Sequence, residues 1–234
     1  MSGRRSLSVA AALVLWSSTV GCGSPAGAPA DAAAAPSVQY DLGGQFSLSA
    51  NPNGAWQYGY ATTPDPAGAV ALDTEPADLN PIGFWHPTDS SYYPYVAGNL
   101  GASSTTDSSG SWALRPGQIA MEASADGLYS IVQFVAPAAG SYEVQASSAG
   151  VHFRHSTTDA HILVGATHLL DADIDGYGGD PAFHALDGQS PQATYEGTLT
   201  LAAGDAVRFA LGPGADGTNA NDTTALQVLI TARE

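Results

Sequence analysis

After Leu170 the chain reads DADIDG, placing Asp171, Asp173 and Asp175 at alternate positions before Gly176, with Asp180 a few residues on. Alternate carboxylates closed by a glycine are the pattern of calcium loops: a hard cation gathers oxygens at about 2.3–2.6 Å, and the glycine permits the sharp turn that brings them together. A complete loop of about twelve residues ends on Glu, and Ala182 stands at that position. A second expectation competes with calcium and is favoured over it. On an extended segment the same three aspartates share one face about 6–7 Å apart and form a solvated strand edge.

A different chemistry is suggested by the aromatic residues Trp85, Tyr92, Tyr93 and Tyr95, together with Trp112. The C–H faces of sugar rings stack on aromatic faces while neighbouring amides and hydroxyls fix orientation, so this cluster is the candidate glycan-binding site. Packing inside the core or under loops is the alternative use of such residues, and it is the expectation for Trp56 and Tyr58. Six histidines occur (His86, His152, His155, His161, His168, His184), but none stands in an HExxH pattern, and His152 and His155 fall on opposite faces of a strand, so zinc is not expected. Catalytic motifs are missing as well: there is no GxSxG elbow and no glycine-rich phosphate loop leading into a helix. Glu122, Glu143 and Glu196 fall on wet strand positions, with no pairing across a cleft implied. A non-catalytic protein is the expectation.

The elements that would position these residues are strands. Short apolar runs alternate with period two between clusters of Gly, Pro, Asn, Asp and Ser, and no apolar stripe of period 3.6 persists for three turns. Leu128 to Val135 and Ala160 to Val164 are apolar on both faces, as central strands beneath a second sheet must be. Tyr142 and Val144, Val207 and Phe209 with Leu211, and Leu226 with Val228 and Ile230 alternate with polar residues that include Arg208. Residues 64–80 and 98–110 read as long loops. The predicted fold is an all-β, antiparallel two-sheet β-sandwich of jelly-roll type with long loops and little helix, formed as one domain over residues 38–234.

The segment before that domain has a different character. Arg4 and Arg5 precede an apolar run from Leu7 to Trp16, too short to span a bilayer, and small residues then lead to Cys22, the single cysteine of the 234 residues. Thr19-Val20-Gly21-Cys22 resembles a bacterial lipobox. The resemblance implies a lipoprotein signal over residues 1–22, lipidation of Cys22 and an exported protein held by lipid at the cell membrane or outer membrane. Residues 23–37, almost entirely Gly, Ala, Pro and Ser, are the expected tether, with a reach of roughly 20 Å. All 22 acidic residues lie beyond Cys22, against four arginines and no lysine. That field repels nucleic acid and anionic lipid head groups, leaving cations, neutral glycans and surface proteins as partners.

The phrases NPNGAWQYGY (51–60), ALRPGQ (113–118), IVQFVAPAAGSYEV (131–144), LAAGDAVRFALGPG (201–214) and NDTTALQVLI (221–230) resemble, in order and spacing, exported bacterial β-sandwich domains that often accompany PEP-CTERM-type sorting tails and look like jelly-roll carbohydrate-binding modules. Members of that group often carry His before the Pro-Gly of ALRPGQ, where this chain has Arg115. The resemblance implies a surface-anchored binding or adhesion module recognising a glycan through aromatic loops. The alternatives are a structural envelope or matrix protein without a small ligand, and a calcium-stabilised adhesion module.

Overall fold

The computed structural model describes residues 37–65, 69–72, 81–88, 92–107 and 109–233. The expected signal, Cys22 and tether residues 23–36 lie outside the described residues. In chain order the strands are β1 (Val38–Asp41), β2 (Trp56–Ala61), β3 (Val70–Ala71), β4 (Ile82–Trp85), β5 (Tyr95–Asn99), β6 (Thr105–Thr106), β7 (Ala113–Leu114) and β8 (Ile119–Glu122). They continue as β9 (Tyr129–Val135), β10 (Gly140–Gly150), β11 (Ser156–Val164), β12 (Thr167–Tyr177), β13 (Asp187–Ser190), β14 (Gln192–Leu201), β15 (Ala206–Gly212) and β16 (Thr224–Arg233). Among the described residues one helical turn, α1 (Leu42–Gln45), interrupts them, capped where Asp41 Oδ1 accepts the Gly43 N–H at 3.1 Å. No helix among the described residues is long and apolar enough to cross a membrane.

Sheet 1 runs β14-β10-β16-β8-β5-β4, and β1 pairs with the same flank of β16 as β8, at Leu229 to Ala232. Sheet 2 runs β13-β12-β11-β15-β9-β2-β3, and every ladder in both sheets is antiparallel. From β9 onward the chain passes back and forth between the sheets, which makes the sandwich jelly-roll-like. The predicted central strands are central: β9 lies between β15 and β2, and β11 between β12 and β15.

Alternation along these strands sends Tyr142, Val144, Val228 and Ile230 from sheet 1, and Trp56, Val132, Phe134, Ile162 and Phe209 from sheet 2, into one shared core. Phe134 is its hub, with ring centroids 5.0 Å from Tyr40, 5.5 Å from Trp56 and 5.7 Å from Tyr142. Burial of such a side chain contributes about 1.5–3 kcal/mol, and each edge-on ring pair about 0.5–1.5 kcal/mol more.

A second apolar cluster lies on the other side of sheet 1. In β4, β5 and β8 the residues alternate between the shared core (Trp85, Val96, Ile119, Met121) and this outer cluster (Phe84, Tyr95, Ala97, Ala120), which Leu114 and Val151 join. Both faces of these three strands are therefore buried, and half of the outer surface of sheet 1 is covered. Two polar residues expected to be wet are buried instead. Glu122 is 5% exposed on the covered face, and Arg208 is 4% exposed, its Nη1 donating to Asp65 O and its Nη2 to Gln133 Oε1 at 3.3 Å.

Candidate functional site: a polar groove on sheet 1

The uncovered half of the outer face of sheet 1 is formed by β14, β10 and β16, whose outward positions over the groove are polar except for Leu229. Cross-strand register sets Thr194, Ser147 and Gln227 in one row and Glu196, Gln145 and Leu229 in the next. Gln145, Thr194, Glu196 and Gln227 are exposed. Two loops rise beside this floor and enclose an open groove of about 960 Å³.

Both loops are built by local backbone rules. Pro116-Gly117 makes the first turn, in which Gln118 N–H donates to Arg115 O at 3.0 Å and Gly117 takes φ +70; Pro followed by Gly in this conformation is the signature of a type II turn. Gln118 Oε1 accepts the Arg115 N–H at 2.9 Å. In the second loop the Gly178 and Gly179 N–H groups both donate to Gly150 O, at 2.9 and 2.8 Å, setting Asp180 on the rim. Arg115 then ties the loops together with a bidentate bond, Nη2 to Asp180 Oδ1 at 2.9 Å and Nε to Oδ2. The Arg115 guanidinium holds the Asp180 carboxyl below its usual range against the opposing effect of burial. Amides, hydroxyls and the carboxylates of Glu196, Asp41 and the Arg115-bound Asp180 thus line a space sized for an extended polyhydroxylated ligand, and such groups exchange hydrogen bonds with ligand hydroxyls.

The predicted aromatic site does not assemble as a platform. Trp85 is 6% exposed, stacks on Tyr58 with centroids 6.3 Å apart and donates its indole N–H to Ser47 O at 2.9 Å. Tyr95 is 4% exposed and donates to Glu122 Oε2 at 2.7 Å. Both are core residues, because β4 and β5 are covered on each face. Tyr92, Tyr93 and Trp112 are half-buried lids on the outer cluster, with Tyr92 stacked on His86 at 4.8 Å.

Asp171, Asp173 and Asp175 do not converge on one point either. They lie along extended β12, opposite His161, Asp159 and Thr157 of β11, on the outer face of sheet 2. No calcium loop forms here because the strand stays paired through Gly176. Histidines take the carboxylates instead: His155 Nδ1 lies 3.5 Å from Asp175 Oδ1, and His161 Nδ1 2.6 Å from Asp171 Oδ1.

Sequence reasoning placed Glu196 on a wet position but did not bring Gln145 and Gln227 beside it. Their juxtaposition depends on ladders between segments about 50 to 80 residues apart, and nothing local encodes it. Arg115 and Asp180 carried only a weaker signal, the turn chemistry on either side.

No family model and no curated protein matches the chain. Solved structures similar to it include a family 35 carbohydrate-binding module from Clostridium thermocellum, 15% identical, with a TM-score of 0.29 over 50% of this chain and 78% of that one. Another is a carbohydrate-binding module of Cellvibrio mixtus lichenase 5A in complex with cellotriose, 13% identical, with a TM-score of 0.24 over 66% of this chain and 88% of that one. A third is the beta-glucosidase from Kluyveromyces marxianus in complex with glucose, 10% identical, with a TM-score of 0.31, of which the match covers only 17% against 80% of this chain. At these scores the sandwich assignment rests on the strand pairing itself.

Proposed function

We propose that the chain is an exported lipoprotein, anchored through Cys22, whose sandwich binds a neutral glycan in the sheet 1 groove without catalysis. The observation that carries the binding reading is the groove floor, where Gln145, Ser147, Thr194 and Gln227 stand side by side beneath rim loops tied by Arg115 and Asp180. Hydrogen-bonding groups in adjacent rows match the repeated hydroxyls of a polysaccharide, and the acidic surface favours a neutral polymer over an anionic one. The order of Arg4 and Arg5, the apolar run and Cys22 supports the anchor.

The test is a glycan array probed with the full-length chain and with a Gln145→Ala/Gln227→Ala double variant. Wild type is expected to retain neutral polysaccharides and the variant to lose about tenfold or more in affinity, the effect of about two net hydrogen bonds. Equal binding by the two chains, or no neutral glycan bound, removes the proposal.

A further inference from the structure

The outer face of sheet 2 holds a second constellation, unrelated to the groove. The β11–β12 ladder pairs His161 with Asp171, and its register slips between Ile162 and Leu163, so that Leu163 faces His168 with Leu169 as the extra residue. In a regular strand, positions 168 and 171 fall on opposite faces. The bulge restores both to the outer face, a known use of bulges being to re-aim a side chain. Asp171 Oδ1 consequently sits 2.6 Å from His161 Nδ1 and 2.7 Å from His168 Nδ1. One ligand atom from each of the three residues lies within 4.8 Å of the other two.

The surroundings orient this group. His161 Nε2 is 2.7 Å from Asp159 Oδ2, and Asp159 is itself fixed by the Tyr129 hydroxyl, which donates to Oδ2 at 2.8 Å, and by Gly214 N–H, which donates to Oδ1 at 2.7 Å. His168 Nε2 lies 3.6 Å from Asp65 Oδ1. When a metal binds, a carboxylate on the far nitrogen of an imidazole holds the proton there while the near nitrogen gives up its own, an arrangement that raises ligand basicity. The two imidazole rings stand at 87° with centroids 6.1 Å apart.

We propose that His161, His168 and Asp171 bind one divalent first-row transition-metal ion, with zinc as the reference ion. Two imidazole nitrogens and one carboxylate oxygen suit zinc, copper or nickel, whereas calcium and magnesium require an oxygen shell. Metal–ligand distances of about 2.0–2.2 Å require Asp171 to draw back from its hydrogen-bonded position. Its side chain is 55% exposed and free to do so. Protons held on the two Nδ1 atoms pass to solvent on binding.

Calorimetric titration of the full-length chain with zinc and, separately, with calcium tests this. One zinc per chain is expected, with weaker or no calcium binding. Asp159→Asn should weaken zinc binding about 10–100-fold, as loss of an orienting carboxylate does, and His168→Gln should weaken it further. His168 is 37% exposed, so its variant should keep the metal-free Tm and circular dichroism spectrum of the wild type. Imidazole ¹⁵N shifts should report coordination through Nδ1 of both histidines. Absence of zinc binding, wild-type affinity in His168→Gln, coordination through Nε2, or tighter binding of calcium would each overturn the site.

Discussion

Glu122 and Glu196 occupy outward positions of the same sheet, yet one is sealed from water and the other stands in it. Around Glu122 the outward neighbours are Tyr95 and Ala120, with Tyr92, Tyr93 and Trp112 packed over their cluster. Around Glu196 the neighbours are Gln145 and the open groove. Burial pushes the Glu122 carboxyl up to about 7, even though the Thr223 and Tyr95 hydroxyls donate to it at 2.6 and 2.7 Å. Period-two alternation therefore reports which face a residue takes; the loops above decide whether that face is wet.

The largest expected effect breaks this contrast at its buried end. Glu122 has its ordinary value of 4.5 in the unfolded chain and about 7 in the fold. Its contribution to stability is accordingly complete below pH 4.5 and is lost as pH rises through about 7, amounting to about 3 kcal/mol. Glu122→Gln should abolish that slope and leave the variant more stable than wild type at pH 8, by an amount chemical denaturation will read. Asp222, raised to about 6 by burial, slopes in the same direction in both chains, and because its charge also raises Glu122 the difference between them reports Glu122 together with that coupling. Superimposable pH profiles would show that the outer cluster admits water.

An intermediate effect is expected at the boundary between the two halves. Arg115→Ala leaves the Asp180 carboxylate, 4% exposed, without its guanidinium and unties the rim loops. Thermal melts should show a drop in Tm of roughly 1–3 °C, accompanied by weaker glycan retention. Unchanged retention would show that the rim does not shape the groove. The smallest effect belongs to the open end: Glu196→Gln should alter stability by no more than about 0.5 kcal/mol, the usual range for an exposed site. A larger loss would mean that Glu196 is packed as Glu122 is.

The architecture was readable wherever periodicity and turn chemistry act locally. The central strands at Leu128 to Val135 and Ala160 to Val164 and the wet position of Glu196 all follow from neighbouring residues. The aromatic cluster was not readable, because Trp85 and Tyr95 are apolar on strands whose both faces are covered, and the cover comes from distant segments around Tyr92 and Trp112. The histidine group failed for a narrower reason. A single inserted residue at Leu169 inverts the face on which His168 emerges, and no pattern of residue types announces a bulge.

Strand β14 has a further consequence. It pairs along its whole length with β10 and, among the described residues, with no strand on its other side, so that every second residue turns its backbone donor and acceptor outward at the sheet edge. Such edges recruit other chains unless charge, proline or distortion deters them. Across QATYEGTLTL the single formal charge is Glu196. One side chain is thus both part of the groove floor and the guard against edge-to-edge self-association, which ties solubility to the same residues that would recognise a ligand.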